Sequence, residues 1–245
     1  MEYTEFTTFG LPHCIVMILV VLASIWMVKF FRSDASELLK TKVRYTFGGL
    51  LVFAVFMDIP LPLIRHGMNA DSWALVWDSS LPLYLCDVVS LLLAYALFTK
   101  NQRIAEIGYL WGLAGTVQGL ITPTLYFGWD TLDFYNFFLQ HGGVPVAAIT
   151  LVWGMGILPE KGAFKRAMLW SWGYMLTVIC INFLIGKNYG FLNGKPEVEG
   201  TLFDYMGPEP WYLLTLQGVA FLFYYILLKI APKPDTDQDN ISHCE

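Results

Sequence analysis

No side chain between Cys14 and Val28 carries a charge, and the string CIVMILVVLASIWMV gives that part of the backbone a hydrocarbon-like surround. A chain in hydrocarbon must satisfy each N–H and C=O internally, so a run of this kind and length folds as a helix. Comparable apolar runs recur at roughly 11 to 31, 45 to 64, 80 to 98, 103 to 122, 131 to 158, 164 to 186 and 210 to 230. The expectation is an all-α polytopic membrane protein, a single bundle of seven transmembrane helices.

Composition excludes the soluble classes. Hydrophobic residues make up 56% of the 245 and charged residues 14%, which is far from the mix of a water-soluble domain. The connections between runs are short, and no Pro/Ser-rich linker divides the chain, so residues 1–231 read as one transmembrane domain. Residues 232–245 read as a disordered acidic tail. No basic segment precedes the first run and no small-residue cleavage site follows it, so a removable signal peptide is not expected.

Lysine and arginine set the orientation. Lys29, Arg32, Lys40, Lys42 and Arg44 fall between runs one and two, and Lys100 and Arg103 between three and four. Lys161, Lys165 and Arg166 fall between five and six, and Lys229 and Lys233 after seven, which makes twelve of the fifteen basic residues. The alternate loops hold Arg65, Lys187 and Lys195. The positive-inside rule then puts the N-terminus outside and the C-terminus in the cytoplasm, and the expected location is the cell membrane, crossed several times.

Most polar groups inside the runs belong to the outer side. His13, Asp58, Cys86, Asp87, Gln118, Thr122, Gln140, His141, Asn182 and Asn188 all fall in outer halves, whereas the cytoplasmic halves are almost purely apolar. Such groups are costly in lipid and usually face a bundle interior or wet cavity. Snorkelling, capping or cross-helix bonding explains single cases but not the asymmetry. Gly108, Gly112, Gly115 and Gly119 recur at spacings of four and three, a small-residue stripe for close helix approach and so scaffold. Pro60, Pro62 and Pro145 predict kinks on the outer side.

Cysteines 14, 86, 180 and 244 make no disulfide framework and are treated as free thiols. Ser79 or Ser80 is expected to cap the third helix, with Pro82 in its first turn and Cys86 about one turn further in. Cys86 needs a base, and His141 is the best candidate, because His66 lies in or near a loop, His243 in the tail and His13 at a helix edge. In FFLQHGGVPVAA two glycines follow His141 and leave its surroundings open. A cysteine and histidine are the minimum for nucleophilic acyl transfer. Asp87 neighbours Cys86 and points about 100° away on a helix, so it reads as a separate buried contact. Ser90 lies one turn from Cys86. Asp58, Asn182 or Gln118 are candidates to orient His141 or to bind an oxyanion.

The strings LPLYLCDVVSLLLAYAL, FFLQHGG and NYGFLNGKPEVEGTLFDYMGPEPWYLL resemble the YwaF family of bacterial integral membrane proteins. The third is the most specific, through Asn188, Tyr189, Lys195, Pro196, Asp204 and the run Gly207 to Tyr212. Glu209 departs from it, standing where a tryptophan is expected between the two prolines. The family is similar to a eukaryotic transmembrane acyltransferase of ether phospholipids, and more distantly to androgen-induced membrane hydrolases of fatty esters. By motif position, the cysteine and histidine needed in that acyltransferase correspond to Cys86 and His141.

The resemblance implies a lipid acyltransferase or transacylase that works on phospholipid acyl esters through a thioester on Cys86. Membrane phospholipids are the expected partners, with Asn188 and Tyr189 as head-group candidates; no nucleic acid, cofactor or metal is expected. Two other readings stay open. One is a zinc-dependent seven-helix lipid amidase with His13, His66, His141 and an aspartate as ligands or base, although no two of these histidines share a helix at ligand spacing. The other is a non-enzymatic receptor or transporter, against which the one-sided polar distribution weighs for transport.

Overall fold

The computed structural model describes residues 3–196 and 202–233. The expected tail beyond Lys233, with His243 and Cys244, lies outside the described residues, as do residues 197–201 of the third motif. Among the described residues the secondary structure is helical, apart from one isolated β-bridge between Glu5 and Phe127.

Helix α1 spans Leu11–Arg32 and α2 spans Glu37–Met57. The second begins well before the apolar run at 45, because the Ser36 hydroxyl accepts the Leu39 N–H at 3.3 Å and Glu37 suits the first turn. Lys40, Lys42 and Arg44 therefore lie on α2, not in a loop. Pro60 has no N–H and its ring clashes with the preceding turn, so α2 stops at Met57 and α3, Pro60–His66, leaves it at 53°. The expected kink is a break, with Asp58 as the C-cap of α2.

The short helix α4, Ala70–Ser79, stands where a loop was expected. Asn69 caps it by accepting the Ser72 N–H at 2.9 Å. Ser80 is its C-cap, and α5 starts only at Leu85 and ends at Thr99. The serine caps assigned to the third run thus belong to the end of α4, and Cys86 sits in the first turn of α5 instead of one turn deeper.

Helix α6, Gln102–Trp111, runs into a π-turn at Gly112–Thr116 and on into α7, Val117–Ile121. Helix α8, Leu132–Ile149, contains Pro145 and passes into a second π-turn at Thr150–Gly154. Helices α9, Ala163–Ile185, and α10, Tyr212–Ile230, complete the bundle. Leu11–Arg32, Leu132–Gly154, Ala163–Ile185 and Tyr212–Ile230 are long and apolar enough to cross a membrane, and the bent α2–α3 pair makes a fifth if counted as one span. The protein is a multi-pass membrane protein. The remaining two runs are helical but differ from simple spans: α5 has 15 residues, and α6 opens with Arg103 and Glu106.

Helix α5 is the axis, packed by α2, α6 and α8. Its Val89, Leu93 and Leu97 are fully buried with Leu51, Leu110, Val144 and Leu151. The glycine stripe admits α5 and α8 alternately. A Cβ on Gly108 would meet Leu93, one on Gly112 would meet Val144, and one on Gly115 would meet Leu85, each within 3.0 Å. Gly142 and Gly143 serve the same purpose. Their missing side-chain volume is filled by Val20 of α1 and Leu51 of α2, so they do not open the surroundings of His141 to a ligand.

At one end of the bundle the basic groups bind helix termini and a buried acid. Arg32 donates to the Trp153 carbonyl at 2.7 Å, Arg44 to those of Leu97 and Phe98, and Arg166 pairs with the fully buried Glu106. At the opposite end the N-terminal segment closes over the loop before α8. Thr4 donates its N–H to Asp130 at 3.0 Å and its hydroxyl at 2.6 Å, and Gly128 donates to the Thr4 carbonyl at 2.7 Å.

The two Thr4 donors hold the exposed Asp130 carboxyl below the usual aspartate range. A lowered folded pKa contributes stability above the unfolded value and loses it as pH falls through the folded one. The N-terminal segment is therefore expected to stay docked at neutral pH and to release in acid. Amide protection factors at Phe6 and Gly128 should fall below the normal aspartate range in the wild type and be low at all pH values in Asp130→Asn.

Candidate functional site

The thiol of Cys86 is half-buried in the first turn of α5, where helix N–H groups point outward and favour negative charge. The next residue, Asp87, does not stand apart from it. Its Oδ2 reaches back to accept the Tyr84 N–H at 3.0 Å, as a carboxylate three residues after an N-cap does, and this turns Oδ1 toward the sulfur at 3.8 Å. The 100° separation of neighbours holds for the Cβ directions but is overcome by the capping geometry. Ser90 is removed from the thiol's surroundings, since its hydroxyl donates to the Cys86 carbonyl at 2.7 Å.

Helix α8 lays a row of polar side chains against α3, the end of α2 and the start of α5. Asp133 pairs with Arg65, Asn136 donates to Asp58 at 2.7 Å, and Gln140 donates to Asp87 Oδ1 at 2.7 Å. Positions 133, 136 and 140 share one helix face, so a single stripe ties three elements together. Asp58 and Asp87 are thus each held by an amide of α8. Gln140, which the polar asymmetry in the sequence already contained, is the residue that joins the cysteine helix to the histidine helix.

His141 follows Gln140 and is buried. Its Nδ1 lies 3.0 Å from the Phe137 carbonyl, and its ring stacks on Phe137 with centroids 3.9 Å apart. A carbonyl only accepts, so Nδ1 carries the proton and Nε2 of the neutral ring presents a lone pair. That edge faces Gly119, where a Cβ would lie 2.7 Å from Cδ2 and 3.1 Å from Nε2. Gly119 was read as scaffold and is part of the histidine's niche. Pro145, four residues on, lacks the N–H that would close onto the His141 carbonyl.

Among the described residues no hydrogen bond joins Cys86 to His141; the thiol's partner is Asp87. Gln118 is half-buried beside Gly119, and its side chain makes no hydrogen bond among the described residues. The other predicted residues form a separate cluster in the loop after α9. Asn182 donates to the Tyr189 carbonyl at 2.8 Å and accepts the Tyr189 N–H at 2.8 Å. Asn188 donates to the Gly194 carbonyl at 2.9 Å, and the buried Tyr189 hydroxyl donates to the Trp77 carbonyl at 2.6 Å. Glu209, the departure from the motif, accepts the Lys195 N–H at 2.8 Å and closes the same loop. This cluster reaches the cysteine end of α5 through Tyr84, whose ring lies 5.2 Å from that of Tyr189.

The histidines form no metal centre among the described residues. His13 accepts the Phe9 N–H on Nδ1 at 2.9 Å, which makes Nε2 the donor to the Leu120 carbonyl at 2.8 Å, so both nitrogens are committed. His66 is exposed at the end of α3. The donor set of a zinc amidase is not assembled.

Comparisons with curated proteins and with solved structures find no match. The TMEM164 family model matches residues 8–228, nearly the whole helical domain and every residue of the Cys86–Asp87–Gln140–His141 cluster, and the chain belongs to the TMEM164 family.

Proposed function

We propose that the protein is a membrane-embedded lipid acyltransferase or transacylase that carries an acyl group on Cys86, with His141 as general base and then acid. The observation that carries this is the tautomer of His141. Its Nδ1–H is spent on Phe137, and the free Nε2 lone pair stands at the end of the bundle that holds the half-buried Cys86 in a helix first turn. The resemblance of the cysteine and histidine motifs to the YwaF family and its acyltransferase relative points the same way.

The first step is rotation of the Cys86 side chain from Asp87 toward the imidazole. His141 Nε2 then takes the thiol proton, the sulfur bonds to the ester carbonyl carbon of a phospholipid, and the carbon–oxygen bond to glycerol breaks. The imidazolium returns its proton to the departing oxygen. A lysophospholipid leaves and a thioester remains. In the second half a lipid hydroxyl gives its proton to His141 and its oxygen bonds to the thioester carbon. The thiolate leaves and is reprotonated. Asp87, held by Gln140 and Tyr84, is a positioning residue for the thiol. With the seven apolar runs read as spans and the N-terminus outside, the chemistry is assigned to the outer leaflet of the cell membrane.

Lipidomics of cells expressing wild type, Cys86→Ser and His141→Ala tests the reading. A shift of acyl chains among phospholipids should accompany the wild type alone. Identical profiles from three folded and equally expressed proteins would overturn it. A finer prediction concerns Gly119→Ala, whose methyl would press on the imidazole. It should lower turnover about tenfold and cost about 1–3 kcal/mol of stability, since the buried ring is held by Phe137 and its displacement misplaces a catalytic group.

A further inference from the structure

At the basic end, opposite Cys86, a cavity of about 190 Å³ opens between α1, α2, the end of α5 and the π-turn after α8. Phe31 and Gly154 line its apolar side, and Lys40, Arg44 and Lys100 line the other with Glu37. We infer that this cavity binds a phosphate-bearing anion, either the head group of an acidic phospholipid or a soluble phosphate.

The charge balance motivates it. Of the three cations, Lys40 meets Glu37 at 3.5 Å, but the Glu37 side chain is 81% exposed, and such a surface pair contributes little. Arg44 is buried and commits Nη1 to the Leu97 and Phe98 carbonyls, where it satisfies the C-terminus of α5. The Lys100 side chain has no hydrogen bond or ion pair among the described residues. Three positive charges and one negative leave a surplus of two around a partly enclosed space.

The backbone at Lys100 points the same way. It is the left-handed C-cap of α5, with φ of 57°, a position where glycine or asparagine is preferred and any other side chain is strained. A lysine there places an ammonium at the cavity rim at a conformational cost. The remaining Arg44 nitrogens and the two lysine ammonium groups are donors of the kind that phosphate recognition uses. Lys40 and Arg44 lie one turn apart on α2, which puts both on the same wall.

The test uses the full-length protein in nanodiscs of phosphatidylcholine, with the thermal unfolding midpoint followed in two titrations. One adds inorganic phosphate to the buffer, with chloride as control. The other replaces phosphatidylcholine by phosphatidylglycerol in the disc. The comparison is with Lys40→Gln/Lys100→Asn, which keeps the Arg44 cap and suits the left-handed backbone. A rise in the wild-type midpoint with either probe identifies the source of the anion. The double variant should need roughly 25-fold more of that probe, about fivefold for each lysine removed. No rise with either probe, or an equal rise in the variant, overturns the inference. Lys161→Gln, outside the cavity, should behave as wild type and separates a site from general surface attraction.

Discussion

Purified protein given a phospholipid with a labelled acyl chain should take up label on Cys86 as a hydroxylamine-sensitive thioester, and Cys86→Ala should take up none. Transfer to an acceptor lipid should fall on the order of a thousandfold or more in Cys86→Ala, because nothing else in the cluster can form the intermediate. His141→Ala should retain Cys86 but lose about 10²–10⁴-fold in the rate of labelling, the usual contribution of a general base. Asp87→Asn is the informative third variant. It keeps the size of a side chain held by Gln140 and Tyr84, so its loss should be smaller than that of His141→Ala. If instead Asp87→Asn were inert and His141→Ala near normal, the base would be the carboxylate that lies 3.8 Å from the sulfur at rest.

The largest stability effect is expected far from that site. Glu106 is completely buried on α6, accepts two hydrogen bonds from Arg166 and one from the Glu160 N–H, and has Arg103 at 3.8 Å. Arg166→Leu removes the principal partner and leaves a carboxylate in the bundle interior. The cost should be about 3 kcal/mol, at the low end for a broken buried pair because Arg166 is itself partly exposed. Arg166→Leu combined with Glu106→Leu should recover much of it, since an apolar pair of similar volume leaves no unpaired charge. Thermal unfolding in detergent of the two single variants and the double variant measures this coupling directly.

How far these features were legible differs from residue to residue. The apolar runs located the helices because hydrocarbon burial is written in composition. The start of α2 at Glu37 was hidden, since its first turns are charged and only the Ser36 cap marks them. Helix α4 was hidden for a related reason: a ten-residue helix with a mixed face gives no long apolar run. Its presence moved the start of α5 from Ser79 or Ser80 to Leu85 and put Cys86 in a first turn.

The candidate site was legible as a set of residue types on one side of the bundle, but the pairings were not. Asp58 with Asn136 and Asp87 with Gln140 are contacts across helices, and nothing in local spacing encodes which α8 residue meets which neighbour. Asn182, Asn188 and Tyr189 looked equally suited to a ligand or a loop lock. Their partners are backbone groups of the loop itself. The role of Gly119 was invisible because a glycine that admits a leucine and one that admits an imidazole look alike in sequence.

The π-turn at Gly112–Thr116 lies between the part of its helix that packs on Leu93 and the part that holds the histidine niche. A π-turn accommodates one more residue than the α-helix around it. If the same residues were wound there as a regular α-helix, everything after them would turn by about 100° relative to α5 and α8. Gly119 would then leave the imidazole, and a bulkier neighbour would take its place without any substitution at the site. In this protein the winding of a five-residue segment is therefore as much a determinant of the histidine's surroundings as the identity of any residue that touches it.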